Sequence, residues 1–483
     1  MSETLNRDCT TRAPGLANES ALRVTGVLTR SARECATSAP GLGKEFAFRM
    51  QGVLTRARLR RGLSLVASLV MFCVANHATA QDVLIRGARV HTVSEQGTLE
   101  KADVLVRDGK IASVGAGLDA PAGATVIEAN GRPLTPGLFG GLTALGLEEV
   151  QLEPSTADES LDIHAPLHEL QLRPEFDPTA TFNPRSVSVP VARVEGITWA
   201  VLAPGTPVQG GGTFVTGQGS AVTLDGRFDA TLSGSRSLFI DLGSDSFPLS
   251  GGSRAAQFML LDQAIREARV PATANARAVL TPAGREALRP YLSGGRVVFN
   301  VDRAADIRQV LAFAERNGMK PVIAGGAEAW VVAADLARAR VPVLLNALEA
   351  LPADFDRIGA RLDNAAILQR AGVMISFMQT NDATSNARKI RQVAGNAVAH
   401  GLPFDSALAA LTANPASIFG LGASRGRIAP GLAADLVLWS GDPLEVTTVA
   451  DQVWIAGVPI EMRSRQTELR DRYLERLKAG QAR

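Results

Sequence analysis

The chain has 483 residues, 46% of them hydrophobic and 20% charged, with 46 Gly and 25 Pro. These proportions exclude collagen, coiled coil and disorder as the main theme, and at ~150 residues per domain the length suggests two or three domains, or one barrel with a satellite. With 50 basic side chains against 48 acidic ones and few aromatics, no electrostatic footprint for a nucleic acid is visible.

The N-terminus reads as a leader. Arg56, Arg58, Arg60 and Arg61 precede an uncharged run from Gly62 to Ala75, and Ala78-Thr79-Ala80 offers small residues where a signal peptidase cuts. The run is shorter than the ~20 residues a membrane span needs, so a cleaved secretory signal with Gln81 as the first mature residue is the reading, without a membrane anchor. Phe72 disfavours a lipid-anchored Cys73. Upstream, APGL at 13–16 recurs at 39–42 and GVLTR at 26–30 recurs at 52–56. Two copies without an apolar period do not make a solenoid, and Met50 is a candidate for the true start, which would put residues 1–49 outside the protein. Removing residues 1–80 leaves 39 basic and 43 acidic side chains and no cysteine, so a periplasmic or secreted mature protein would have no disulfide and no thiolate chemistry.

From Gln81 the sequence alternates in short runs, DVLIRGARVHTV, KADVLVRDGKIASVG and GATVIEANGRPLTPGL, with an Asp108-Gly109 pair suited to a two-residue hairpin. GRIAPGLAADLVLWSGDPLEV and DQVWIAGVPIEM near the other end have the same character. Neither set is stable alone, and joining residues 81–137 to 425–462 as one split β-sandwich buries both apolar faces. Between them, runs at 197–203, 296–302, 321–326, 342–347 and 373–378 are followed by helical stretches such as ADIRQVLAFAERNG and DNAAILQRAG. That alternation predicts an α/β fold, a (β/α)8 TIM-like barrel over 138–424. Residues 146–195 and 205–260, rich in Pro, Gly, Ser and Thr, read as long loops or hairpin insertions, and 463–483 as a polar helical tail.

Three pieces in this order carry a family resemblance: the opening set that ends Pro136-Gly137-Leu138, the stretch ALTANPASIFGLG at 410–422, and the return with Gly426, Pro430-Gly431 and Ala434-Asp435-Leu436-Val437. Together they resemble the amidohydrolase superfamily. DRAADIRQVL, GGAEAWVVAADLA and RLDNAAIL are most similar to its imidazolonepropionase-like branch. The resemblance implies one or two divalent metals, such as zinc, at the C-terminal mouth of the barrel, where bound water attacks an amide-type carbon. It also implies two first-strand histidines, and here Leu142 and Ala144 stand in their places. The fifth- and sixth-strand histidines fall near Asn300 and Gly325, and no mature lysine suits the bridging position. No metal ligand is therefore assigned, and no cofactor is expected.

Asp382, after VMISFMQTN, is the candidate for the last-strand acid. Asp302 and Arg303 join it as candidate catalytic residues, and Asn300 and Glu328 as substrate-binding ones, since strand C-termini open into one mouth. The plainer reading has Asp302 and Arg303 capping the next helix, and Glu328 as a first-turn acid favoured by the helix dipole. His91 and His400 read as structural. His164 and His168, beside Asp162 and Glu169, stand at i, i+4, although Pro166 opposes a regular helix and a surface loop is the alternative. GGG at 210–212 and GQG at 217–219 lack the Lys-Ser/Thr pair of a phosphate loop. Two functions follow: a hydrolase of C–N bonds other than peptide bonds, acting on cyclic amides or small acylated amines with an atypical, metal-free site, or a catalytically inactive barrel binding a small ligand or a protein.

Overall fold

The computed structural model describes residues 82–481, apart from 151–152, 167–168, 170, 207–210, 272–276, 350 and 380–382. The leader, Asp382 and His168 lie outside the described residues. Alternating apolar runs make the first five strands, β1 (Val83–His91), β2 (Thr98–Arg107), β3 (Lys110–Gly115), β4 (Thr125–Glu128) and β5 (Pro133–Pro136). The β2–β3 turn has Asp108 at φ 49° and Gly109 at φ 75°, the two positive values that the Asp-Gly pair foretold.

The chain then enters a circuit of strands. β6 (Leu138–Thr143) runs parallel to β7 (Ile197–Leu202). Next comes one antiparallel segment in two pieces, β8 (Gly217–Gly219) against β10 (Ser237–Asp241), and β9 (Ala221–Thr223) against β7. From β10 the strands are parallel again: β11 (Arg296–Val301), β12 (Lys320–Gly325), β13 (Val343–Leu345) and β14 (Ile375–Phe377). Hydrogen bonding divides them into a six-stranded and a three-stranded sheet, without a ladder between β14 and β6 among the described residues. The two ends nevertheless touch: a Cβ on Gly141 would lie 3.4 Å from Met378 Cα and 3.6 Å from the Gln379 amide nitrogen.

Helices return the chain between strands on the pattern the sequence predicts. Ala304–Asn317 stops at Gly318, whose φ of 70° ends a helix without the Cβ penalty. Residues 205–260 correct the sequence reading. They hold β8, β9 and β10, and the helix Arg254–Arg269 begins there, capped by the Ser253 hydroxyl. The GQG of β8 is packing rather than phosphate binding, because a Cβ on Gly219 would fall 1.9 Å from the Leu202 carbonyl oxygen.

The chain closes with β15 (Leu436–Trp439), β16 (Ala450–Ile455), β17 (Val458–Pro459) and the helix Arg465–Gln481. β15 pairs antiparallel with β5, so strands from both ends form one eight-stranded sheet, edge to edge, where the sequence suggested hairpin sets stacked face to face. Trp439 pins that seam by donating its indole N–H to Thr135 Oγ1 at 2.9 Å. Buried aromatics dominate the interior: Trp199, Phe139, Phe299 and Phe377 in the strand circuit and Trp454 in the eight-stranded sheet, each worth ~2–3 kcal/mol of burial. No helix among the described residues is long and apolar enough to cross a membrane.

Candidate functional site

The C-terminal ends of β6, β10, β11, β12, β13 and β14 surround a cavity of about 570 Å³. Its floor is apolar, with Leu142, Phe239, Val298 and Met378. Its wall is polar. Asp241 ends β10 directly beside Asn300 of β11, the two being register partners, and the Asn300 amide hydrogen-bonds the Asp241 carboxylate. Asn300 is exposed in an otherwise buried strand because it opens into this cavity.

Asp241 keeps some contact with the cavity, yet protein surrounds it deep below the rim. Loss of hydration pushes its carboxyl up from 3.8 to about 7, against the Asn300 hydrogen bond and with a further push from nearby Asp245. A carboxyl that titrates near neutrality, in a cleft, is suited to proton transfer in both directions.

Asp302, just beyond β11, sits in a different arrangement. Its Oδ1 accepts from the Ala327 N–H at 3.1 Å, and its Oδ2 from Arg357 Nε at 3.0 Å. Burial raises its carboxyl pKa, opposed by that amide and that guanidinium. Arg357 also approaches Asp354 at 3.3 Å and Glu349 at 3.6 Å, so one cation holds three carboxylates of the loop after β13 and the β11 end. Asp302 therefore pairs with an arginine 55 residues away rather than with Arg303. Arg303 is the half-buried N-cap residue of Ala304–Asn317, makes no side-chain cap bond and does not line the cavity.

Glu328 also stands outside the cavity lining. Its two oxygens clamp backbone amides, Oε2 taking the Ala304 N–H at 3.0 Å and Oε1 the Gly359 N–H at 3.1 Å. It caps a neighbouring helix, not its own. His164 is exposed and lies 2.7 Å from Asp162, His91 is buried against Thr98 at 3.0 Å, and His400 faces the Asn396 carbonyl at 2.8 Å.

Two further polar side chains line the cavity, both more than nine-tenths buried: Gln379 after β14 and Asn364 at the start of the helix Asn364–Arg370. Asn364 donates to the Gly326 carbonyl at 2.9 Å, which leaves its Oδ1 without a partner; Gln379 Nε2 is likewise unpartnered. Asp241, Gln379 and Asn364 escaped the sequence reading. Only Asp241 had a legible signal, as a lone acid closing the apolar run SLFI in a segment otherwise read as loop.

Residues 247–461 match the amidohydrolase family. In the curated proteins, 72 residues are 42% identical to amidohydrolase tasK of Hapsidospora irregularis, covering 15% of this chain and 7% of that protein. Another 58 residues are 51% identical to the dihydroorotase of Geobacter sulfurreducens, covering 12% of this chain and 13% of the relative. The likeness to both curated relatives is thus confined to a small part of their length. Among solved structures, the amidohydrolase from Thermotoga maritima MSB8 superposes with a TM-score of 0.68 at 24% identity, over 79% of this chain and 100% of that one. The fold is TIM-barrel-like α/β.

Among the described residues, those at the mouth do not fit the metal centre usual in that family. Leu142 presents only carbon to the cavity, and Ala144 has no donor. Gly325 adopts φ +84°, and a Cβ there would lie 2.7 Å from Asp302 Oδ1, so no histidine fits without moving Asp302. Among the described residues no three His, Cys, Asp or Glu side chains are gathered as a metal would require.

Proposed function

We propose that the protein is a hydrolase of C–N bonds other than peptide bonds, acting on cyclic amides or small acylated amines in the cavity at the strand C-termini. The observation that carries this reading is Asp241, a cavity carboxyl that titrates at about 7 beside a hydrogen-bonded asparagine. As the carboxylate, Asp241 removes a proton from a water molecule while that water's oxygen bonds to the acyl carbon. As the acid so formed, it returns the proton to the departing nitrogen when the C–N bond breaks. Asn300 holds the carboxylate in place. Gln379, with a free N–H in the cavity wall, is positioned to donate to the carbonyl oxygen as charge develops there.

The test is release of amine from hydantoins, lactams and acyl-amino acids by the full chain, its Asp241→Asn variant and its Asp382→Asn variant. Turnover lost in Asp241→Asn with folding retained supports the assignment. Turnover lost only in Asp382→Asn moves the base to the last-strand position. A second reading, an inactive barrel that binds a small ligand, is favoured by Leu142 and Gly325 where the family carries ligands; binding without turnover across the panel selects it. Assignment to the imidazolonepropionase-like branch rests on sequence resemblance alone. Export is part of the proposal too, supported by the arginines before the uncharged run, and N-terminal sequencing of the periplasmic protein is expected to begin at Gln81.

A further inference from the structure

Among the described residues, six acidic side chains line the cavity, those of Asp241, Asp245, Asp302, Glu349, Asp354 and Asp356, against the guanidiniums of Arg357 and Arg361. The two cations do not balance them. Arg361 is spent on Asp363 outside the cavity, through two bonds of 2.7 Å, with its guanidinium over the Trp330 ring. Arg357 is shared among Asp302, Asp354 and Glu349. Asp356 is satisfied from behind by Arg254 and by Ser244. Asp245 is exposed and takes no side-chain hydrogen bond or ion pair among the described residues.

A surplus of acid alone does not define a ligand. The second observation is Asn364 Oδ1, a buried acceptor in the same wall without a donor. It is placed next to the acidic group, because the turn Gly326–Ala327 gives its carbonyls to Asn364 and its Ala327 N–H to Asp302. A buried acceptor left unpaired costs about 1–3 kcal/mol, which a ligand N–H would recover. Below this rim the apolar floor of Leu142, Phe239, Val298 and Met378 suits a hydrocarbon segment rather than a hydrated ion.

We propose that the ligand of this cavity is an organic cation: its ammonium or guanidinium group sits among the rim carboxylates and donates to Asn364 Oδ1, with its carbon chain on the floor. This deepens the hydrolase reading, on which it rests for the scissile group, by assigning the charge of the substrate. The arrangement disfavours anionic amides, which would meet the carboxylate surplus directly.

The experiment is titration calorimetry of the full chain with three probes of matched length, N-acetylputrescine (cationic), N-butylacetamide (neutral) and 4-acetamidobutanoate (anionic), with amine release followed separately. The cationic probe is expected to bind ~10-fold or more tightly than the neutral one, the anionic one least, and the preference to shrink as salt rises. Asp245→Lys is expected to reduce the cationic-to-neutral ratio ~10-fold, and Asp354→Asn, which keeps the loop's acceptor oxygen, by ~3-fold. Equal affinity for the three probes, preference for the anion, or no binding would overturn the inference. Cation-selective binding without amine release upholds it while refuting the hydrolase, and charge-blind turnover does the reverse.

Discussion

Asp241→Asn separates the burial of a carboxyl from everything else that pH does to the chain. The folded protein holds the Asp241 proton up to about pH 7, whereas an unfolded carboxyl loses it near 3.8. The stability this group contributes is therefore full below the unfolded value and is lost as pH rises through the folded one. Ionising it in the folded chain costs about 4 kcal/mol more than in the unfolded chain, of which about 2.5 kcal/mol falls between pH 5 and pH 8. Asparagine is nearly isosteric and does not titrate, so the difference between wild type and variant isolates this group. Over about 400 folded residues, 2.5 kcal/mol corresponds to ~3 °C in Tm. Thermal unfolding followed by circular dichroism at pH 5, 6, 7 and 8 should show the Tm of Asp241→Asn rising relative to wild type by that amount. A constant offset across the series would mean that Asp241 ionises at its ordinary pH and would remove the physical basis for its role as a proton carrier.

Other expectations test the frame around the site. Glu328→Ala leaves the Ala304 and Gly359 amides without their acceptor, and a loss of about 2–3 kcal/mol is expected by urea unfolding. Gly325→Ala forces a residue with a Cβ into φ +84° against Asp302, so it should cost about 1–3 kcal/mol and weaken ligand binding, whereas Gly372→Ala, at the same φ in open space, should cost less and leave binding unchanged. Arg357→Gln removes the cation shared by Asp302, Asp354 and Glu349; a midpoint lowered more at pH 8 than at pH 5 is expected, since protonation relieves the stranded carboxylates at low pH.

The sequence made the scaffold readable wherever structure is written locally. The run RVVFNV became β11 with Asn300 facing the mouth, because a strand in a parallel sheet is buried on both faces and a lone polar residue has to open into a cavity. The Pro136-Gly137-Leu138 segment fixed the register that puts Leu142 at the mouth. The unread parts depend on distant partners. β8 and β9 are three residues each, β8 with two glycines, and are strands only because β7 and β10 flank them. Missing them hid β10, and with it Asp241. Glu328 looked like a first-turn acid, but its partners lie 24 and 31 residues away in sequence. Asp302 looked like a cap for the helix beside it, and is instead held by Arg357 from the loop after β13. Nothing in local periodicity encodes such pairings.

The central proposal is that Asp241, in the cavity at the strand C-termini, carries the proton transfers without a metal ion. The most direct measurement is amine release by the purified full chain before and after exhaustive chelation, with metal content determined by elemental analysis on the same samples. The predicted result is turnover unchanged by chelation, with less than one equivalent of Zn, Mn, Fe or Ni per chain. Stoichiometric metal, with activity lost on its removal and restored on its return, would contradict it.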